Sequence, residues 1–348
     1  HGLDQTLPDG RVRSAYGGDY GEKKHDGNFV CDGMFFPDRS PKPALYEFKQ
    51  IASPVRISVK NLNSGRFELF NKQFFRDLRD FKLRYEVTAN GKIITTGDLK
   101  LPAVKPRKSV VITVPPKVLK ANDVAGDRFV NFSLQLNVNT PWSHAGTEVA
   151  WAQFALASKA LPKPKAVKSK ESFVSTDGEI TLPYGVVAPR LTLWRAPTDN
   201  DRIGHIAEKW EKWGLRDLKR GPSTISRRAN STTVTTTWKT GSGISLKQIQ
   251  VIEPVEGGCK VTETVTLPKQ LDDVARVGTN FELSGELDQL VYFGTGPSET
   301  MPDRKVGKIH RWSSSVADQY VSYIRPQENG GHVDVRWFSL SNQTNHGL

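Results

Sequence analysis

The sequence predicts a mainly β protein, and three observations carry that prediction. Short apolar–polar alternations recur from Ser53 to about Leu161. Long threonine-rich runs follow between Ser231 and Thr266, and helical spacing is confined to two short stretches. At 348 residues the chain has room for two or three domains, each with an ample core.

Residues 1–51 read as a loop that runs into one helix. Gly17, Gly18 and Gly21 permit positive φ and close backbone approach, with Tyr16, Asp19 and Tyr20 among them and Phe29, Asp32 and Phe36 beyond. Aromatic faces beside carboxylates suit a sugar-binding surface; the alternative is a packed turn without a ligand. Pro43 is a favourable first-turn residue, and Ala44, Leu45, Phe48 and Ile51 follow at roughly helical spacing.

Residues 52–161 alternate cleanly at Val55–Val59 and Phe81–Val87. Asn90-Gly91 marks a tight turn, and Lys92–Gly97 is the returning strand. Val110–Val114, Phe129–Leu136 and Trp151–Leu156 complete about seven runs, which imply an immunoglobulin-like sandwich lacking the cysteine–tryptophan signature. Trp142 and His144, in the loop before the last strand, read as packing residues. Residues 162–170, rich in proline and lysine, read as a linker.

Residues 171–348 are again β-rich. Ser231–Trp238, Ser245–Ile252 and Cys259–Thr266 suit a large antiparallel sheet with one wet face. Ile206–Leu215, with Trp210 and Trp213, is a short helix candidate. No closing strand pattern appears at Asn345–Leu348, so this second sandwich reads as truncated.

The net charge of +12 raises nucleic-acid binding as a possibility to test. The cations are scattered, however, apart from Lys163, Lys165, Lys168 and Lys170 in the linker. No zinc spacing, RNA-reading aromatic motif or basic helix accompanies them, so no nucleic-acid partner is expected. No apolar run reaches about 18 residues, so no membrane span is expected. Cys31 and Cys259 fit packed thiols in a reducing setting. A cytoplasmic location is the expectation, with export left open because the chain begins at His1 and shows no leader.

Four runs stand apart. The first is Ser14–Gly21 (SAYGGDYG), extended by Asn28–Arg39 and Pro43–Glu47. The others are Trp194–Asp201 (WRAPTDND), Gly294–Arg304 (GTGPSETMPDR) and Tyr323–Gly330 (YIRPQENG). In order and spacing they resemble the long bacterial β-galactosidases of glycoside hydrolase family 2. The resemblance covers essentially the whole chain and corresponds to the C-terminal part of such an enzyme.

That resemblance implies a fold and a chemistry. Residues 1–51 would be the last loop and helix of a (β/α)8 barrel, too little to form one alone. The larger sandwich would be of the β-galactosidase small-chain type. The parent would cleave terminal β-D-galactosides such as lactose with retention, using two barrel carboxylates upstream of this chain. No catalytic residue is therefore assigned here, and the chain alone is expected to be inactive. A pair drawn from Asp19, Glu22 and Asp26 is conceivable, but loop carboxylates beside Lys23 and Lys24 are more often solvated.

By the same resemblance, the Phe29 carbonyl and the Asp32 side chain match two ligands of a sodium site beside the sugar. The best-known members carry asparagine at the Asp32 position, and a carboxylate would tighten or redirect cation preference. Mg²⁺ is common in the family, with its ligands upstream. Arg195, Asp199, Asn200 and Gly204 would shape a mobile wall near the active-site mouth, with turn-forming Asp199 and Asn200 and a hinge at Gly204. Phe29, Asp32 and these four are the candidate substrate-binding residues. Glu299, Asp303 and Arg304 form a charged group in which an arginine–carboxylate pair locks a loop. Met301 stands where the family usually has tyrosine. His25, His205, His310 and His332 lack metal-ligand spacing. The full-length enzyme is expected to be a homo-oligomer. The competing reading is a non-catalytic β-sandwich carbohydrate-binding or adhesion module, against which the orphan loop and helix of residues 1–51 argue.

Overall fold

The computed structural model describes residues 2–120, 124–167, 173–182, 186–344 and 346–348. It is mainly β, as expected. The first difference comes at the start, where a hairpin of β1 (Leu3–Thr6) and β2 (Val12–Ala15) replaces the expected loop. Its strands are short and polar enough to hide their alternation, although Asp9-Gly10 at the turn is a hairpin signal. Helix α1 (Pro43–Ile51) forms where predicted, with proline in its first turn and no buried residue of its own.

The next seven strands are β3 (Val55–Asn61), β4 (Arg66–Asn71), β5 (Phe81–Ala89), β6 (Lys92–Leu99), β7 (Ser109–Thr113), β8 (Arg128–Leu136) and β9 (Glu148–Leu156). A short helix, α2 (Pro116–Lys120), lies between β7 and β8. They make a three-stranded sheet, β3-β4-β7, and a four-stranded sheet, β6-β5-β8-β9, all antiparallel. The inner faces share one apolar core containing Phe67, Leu69, Leu83, Val87, Val130, Phe132 and Leu134. Phe67 and Phe132 meet edge to face, 4.7 Å between centroids. Each is fully buried, a stabilisation of roughly 1.5–3 kcal/mol per side chain. Trp142, expected to pack, is 67% exposed instead.

Asn90 (φ 50°) and Gly91 (φ 74°) are both left-handed, the conformation required by the predicted tight turn. A Cβ on Gly91 would sit 2.7 Å from the Arg311 backbone, so this hairpin tip presses against the C-terminal part of the chain. The linker expected at 162–170 is not free where it is described. Ala166 bridges Val255, and the Val167 N–H donates to the Pro254 carbonyl at 3.2 Å. Lys168 and Lys170 lie outside the described residues.

Beyond it come β10 (Val187–Thr192), helix α3 (Asp199–Ile203), helix α4 (Ile206–Trp213), β11 (Lys219–Arg228), β12 (Ser231–Lys239), β13 (Ser245–Val255) and β14 (Gly258–Thr266). They are followed by β15 (Gly278–Glu282), β16 (Gln289–Gly296), β17 (Lys308–Ser315) and β18 (Trp337–Ser341). The threonine-rich strands expected to share an antiparallel sheet do so, as β12, β13 and β14 with β11 beside them; among the described residues β10-β15 and β17-β16-β18 form two further sheets. Helix α4 forms as predicted, and Trp210 and Trp238 join Leu193, Leu215 and Leu246 in a second core. Trp210 Nε1 donates to the Asp273 carbonyl at 2.8 Å, satisfying its buried polar end. The Ser341–Gly347 bridge closes the C-terminal segment back on β18.

The sandwich meets the C-terminal part through polar side chains. Gln153 on β9 donates from Nε2 to the Ile309 carbonyl and accepts the Ile309 N–H at Oε1, both at 2.9 Å. Lys308 donates to both carboxylate oxygens of Glu148 at 2.8 and 2.9 Å. Glu86 faces His310 at 3.7 Å. No helix among the described residues is long and apolar enough to cross a membrane.

Candidate functional site

The four runs singled out in the sequence converge in the fold. The glycine-rich loop is shaped by its own acids: the Tyr16 N–H donates to Asp19 at 2.8 Å, and Glu22 accepts from the N–H groups of Gly18 and Tyr20 at 2.6 and 3.0 Å. The Gly18 N–H bond, the largest cause, holds the Glu22 carboxyl below its usual range. Both acids thus organise the backbone of the loop. Gly18 (φ 93°) packs so close to His25 that a Cβ would lie 2.8 Å from its ring.

A 3₁₀ turn at Gly27–Cys31 follows. The Asp32 N–H donates to the Phe29 carbonyl at 3.1 Å, and both residues are exposed. This turn offers two hard oxygen donors, the right chemistry for Na⁺ but fewer than a hard cation takes. No cluster of three or more His, Cys, Asp or Glu suited to a metal occurs among the described residues.

The Arg195–Gly204 stretch is not the expected turn. Thr198 caps α3 in a reciprocal box: the Asp201 N–H donates to the Thr198 hydroxyl, and Asp201 Oδ2 accepts the Thr198 N–H at 2.7 Å. Arg195 binds Asp201 with both terminal nitrogens, at 2.5 and 3.1 Å, and Glu328 through Nε at 2.7 Å. Burial raises the Asp201 carboxyl, but the Arg195 and Thr198 bonds outweigh it and the group ionises below its usual range. Gly204 ends the helix at φ −80°, a conformation open to any residue; the left-handed position is His205, at φ 58°. The hinge expected at Gly204 has no backbone signature. Asn200 is exposed, and its carbonyl accepts the Gly204 N–H at 2.8 Å.

Asp199 is buried and linked twice to the fourth run. Its N–H donates to the Pro326 carbonyl at 2.9 Å, and its carboxylate accepts from Arg325 at 2.8 and 3.3 Å. Arg325 is held charged chiefly by Asp199. Phe36 and Tyr323 are in ring contact at 6.0 Å.

The third run closes the set. The Glu299 carboxylate, with 1% of its side chain exposed, accepts from Arg304 at 2.5 Å, from the Gly330 N–H at 2.9 Å and from the Tyr323 hydroxyl. Burial, followed by Glu299, pushes the Tyr323 hydroxyl up to about 12. Burial works against the Arg304 charge, but the bond to Glu299 outweighs it. The lock expected within this loop is present and wider than foreseen. Asp303 is exposed.

Thr198, Asp201, Tyr323, Arg325 and Glu328 carry these links without having been assigned a role from the sequence. Only Thr198-x-x-Asp201 had a local signal, the spacing of a capping box. Arg195 and Asp199 are committed to ion pairs inside the fold. The 3.0 Å bond from the Gly17 N–H to the Gly27 carbonyl ties the turn that holds Phe29 and Asp32 to the glycine-rich loop. The arrangement positions a loop; its acids are occupied as ion-pair partners and backbone acceptors.

Comparison with known proteins places these regions. Residues 169–347 match the family described as "Beta galactosidase small chain", residues 67–157 "Beta-galactosidase, domain 4", and residues 3–57 "Glycosyl hydrolases family 2, TIM barrel domain". The chain is similar to a β-galactosidase of Priestia megaterium, 28% identical over 377 residues, covering 99% of this chain and 36% of the relative. It is also similar to one from Arthrobacter sp. (strain B7), 29% identical over 384 residues, covering 98% of this chain and 37% of the relative. A third, β-galactosidase BgaC of Bifidobacterium adolescentis, is 27% identical over 385 residues, covering 99% and 36%. The chain thus spans just over a third of the length of the curated relatives it matches.

Proposed function

Because the chain belongs to the β-galactosidase small chain family, we propose that it is the C-terminal part of a retaining glycoside hydrolase acting on terminal β-D-galactosides such as lactose. The two catalytic carboxylates of that reaction belong to the barrel portion outside this chain. This part holds the barrel's final loop in place. Residues 1–51 end the barrel, 52–161 are the supporting sandwich, 162–170 the linker and 171–348 the larger β domain.

One observation carries the reading: a barrel-type segment is clamped by a small-chain-type segment. Phe36 meets Tyr323 of the small-chain-type segment, and Asp199 anchors the neighbouring Arg325. A loop so held can line a sugar pocket with little ordering cost on binding. Phe29, Asp32 and the exposed Asn200 are its candidates for facing the substrate, while Arg195, Asp199 and Gly204 shape the wall behind them. The Phe29 carbonyl and Asp32 would contribute two oxygens to a sodium ion, whose role would be to fix the sugar's hydroxyls. No residue of this chain is assigned to Mg²⁺. The full-length enzyme is proposed to be a cytoplasmic homo-oligomer, with neither nucleic acid nor membrane as partner. A free-standing carbohydrate-binding or adhesion module has less support, since residues 3–57 match a barrel domain.

The test compares this chain alone with the same chain joined to its preceding barrel region, on a chromogenic β-galactoside. Turnover is expected only in the joined protein. Turnover by the chain alone above a contaminant-controlled blank, or its absence from the joined protein, overturns the reading.

A further inference from the structure

An open cleft of about 400 Å³ lies beside β3 and β4, bounded also by Gln50 near the end of α1 and by Trp151 and Ala152 of β9. Arg56, Lys72 and Arg107 line it, and its lining contains no carboxylate. Among the described residues none of the three enters an ion pair. The nearest acid along β4 on the same face, Glu68, is already matched by Lys60 at 3.1 Å.

The cations are also held in place. Arg56 and Phe70 are register partners on β3 and β4, with the guanidinium carbon 5.3 Å from the ring centroid. Arg107 lies 4.9 Å from the same ring and 4.8 Å from Phe74. Arg107 Nη1 donates to the Lys72 carbonyl at 3.1 Å, and Lys72 Nζ donates to the Ile51 carbonyl at 2.8 Å. Each side chain retains further N–H donors after these bonds. Arg107 itself is left-handed, at φ 56°, a costly position for a residue with a Cβ. Three like charges gathered without a counter-charge repel one another, and a bound anion relieves that repulsion.

We propose that this cleft is a binding site for a tetrahedral oxyanion, phosphate or sulfate, either free or carried on a sugar. Two guanidinium forks match the geometry of such oxygens, and aromatic contact fixes their planes beforehand, lowering the ordering cost. Trp151 also lines the cleft and offers an apolar wall to a sugar ring bearing the anion. The site goes beyond the glycosidase reading and does not depend on it.

The test is calorimetric titration of this chain with inorganic phosphate, sulfate, galactose 6-phosphate and galactose, with chloride matching the ionic strength. Saturable phosphate binding is expected, weakened about tenfold or more in Arg107→Gln and Arg56→Gln and unchanged in Arg79→Gln, whose partner is Asp77. If galactose 6-phosphate binds more tightly than phosphate while galactose does not bind, the anion is sugar-borne; equal binding assigns the free ion. Absence of saturable heat, binding matched by chloride, or undiminished binding in folded variants overturns the proposal. Should the arginine variants not fold, Lys72→Gln and the melting temperature of the unsubstituted chain decide. No rise with phosphate over matched chloride is then the refuting result. Because the chain is proposed to lack the catalytic carboxylates, the result is independent of any galactosidase assay.

Discussion

The interior of the β3–β9 sandwich and the seam where the four sequence runs meet are both tightly ordered, but by different forces. The sandwich core is apolar, centred on Phe67 and Phe132. The seam is polar, with Glu299, Arg304 and Tyr323 on one side and Asp199, Arg325, Arg195 and Asp201 on the other. Apolar burial is non-directional and tolerates alternative packings, so it supplies stability. The seam's better-buried ion pairs, Glu299–Arg304 and Arg195–Asp201, add less net energy, since desolvation offsets much of the attraction, but they fail steeply when one partner is missing. The comparison teaches that one region keeps its part of the chain folded and the other fixes where a loop sits.

Phe132→Ala should have the largest effect, about 3–5 kcal/mol, read as a fall in the denaturation midpoint of the purified chain. A loss below about 1 kcal/mol would break the assignment of stability to the apolar core. Glu299→Gln should cost roughly 3 kcal/mol by stranding Arg304. The paired change Glu299→Leu with Arg304→Met should recover much of that stability while leaving the 297–304 loop more open to protease. Equal protease resistance in all three proteins would mean that the seam does not set loop position. Thr198→Ala should cost about 1 kcal/mol through loss of the α3 cap.

The smallest effect is a pH dependence. His310 is held above its ordinary pKa, chiefly by Glu86 and despite burial. Its contribution to stability is therefore complete below the unfolded value of about 6.5 and is lost as pH rises through the folded value. The advantage of the unsubstituted chain over His310→Gln in melting temperature should shrink as pH rises. His332, pushed down by burial against Tyr292, has the opposite sign: its contribution is present above the unfolded value and lost as pH falls through the folded one. The two substitutions should give difference curves of opposite slope; two flat curves would mean that neither histidine couples folding to protons.

The sandwich was legible because residues such as Phe81–Val87 alternate over a single buried face, and because Asn90-Gly91 demands one turn type. Helix α3 was misread because Pro197, Asp199, Asn200 and Gly204 are turn formers one by one, whereas the Thr198–Asp201 spacing is a helix start. The seam was hidden for another reason. Asp199 and Arg325 lie 126 positions apart, and Glu299 and Tyr323 lie 24 apart. No local propensity records a contact between residues so distant in the chain. The runs that carry these residues could be noticed, but their partners could not be read from them. The pairing of β10 with β15 was hidden in the same way, since it spans residues whose own patterns do not name a neighbour.

Gln153 has a consequence of its own. By engaging both the donor and the acceptor of Ile309, its amide imitates a neighbouring backbone unit and extends the hydrogen-bond grammar of β9 sideways into another region. Such a mimic reads one alignment only: a slide of β17 by a single residue would present side chains of the opposite face and leave the amide facing the wrong peptide group. The joint between the two halves is therefore keyed, and assembly of this chain inherits a built-in check on alignment from one carboxamide.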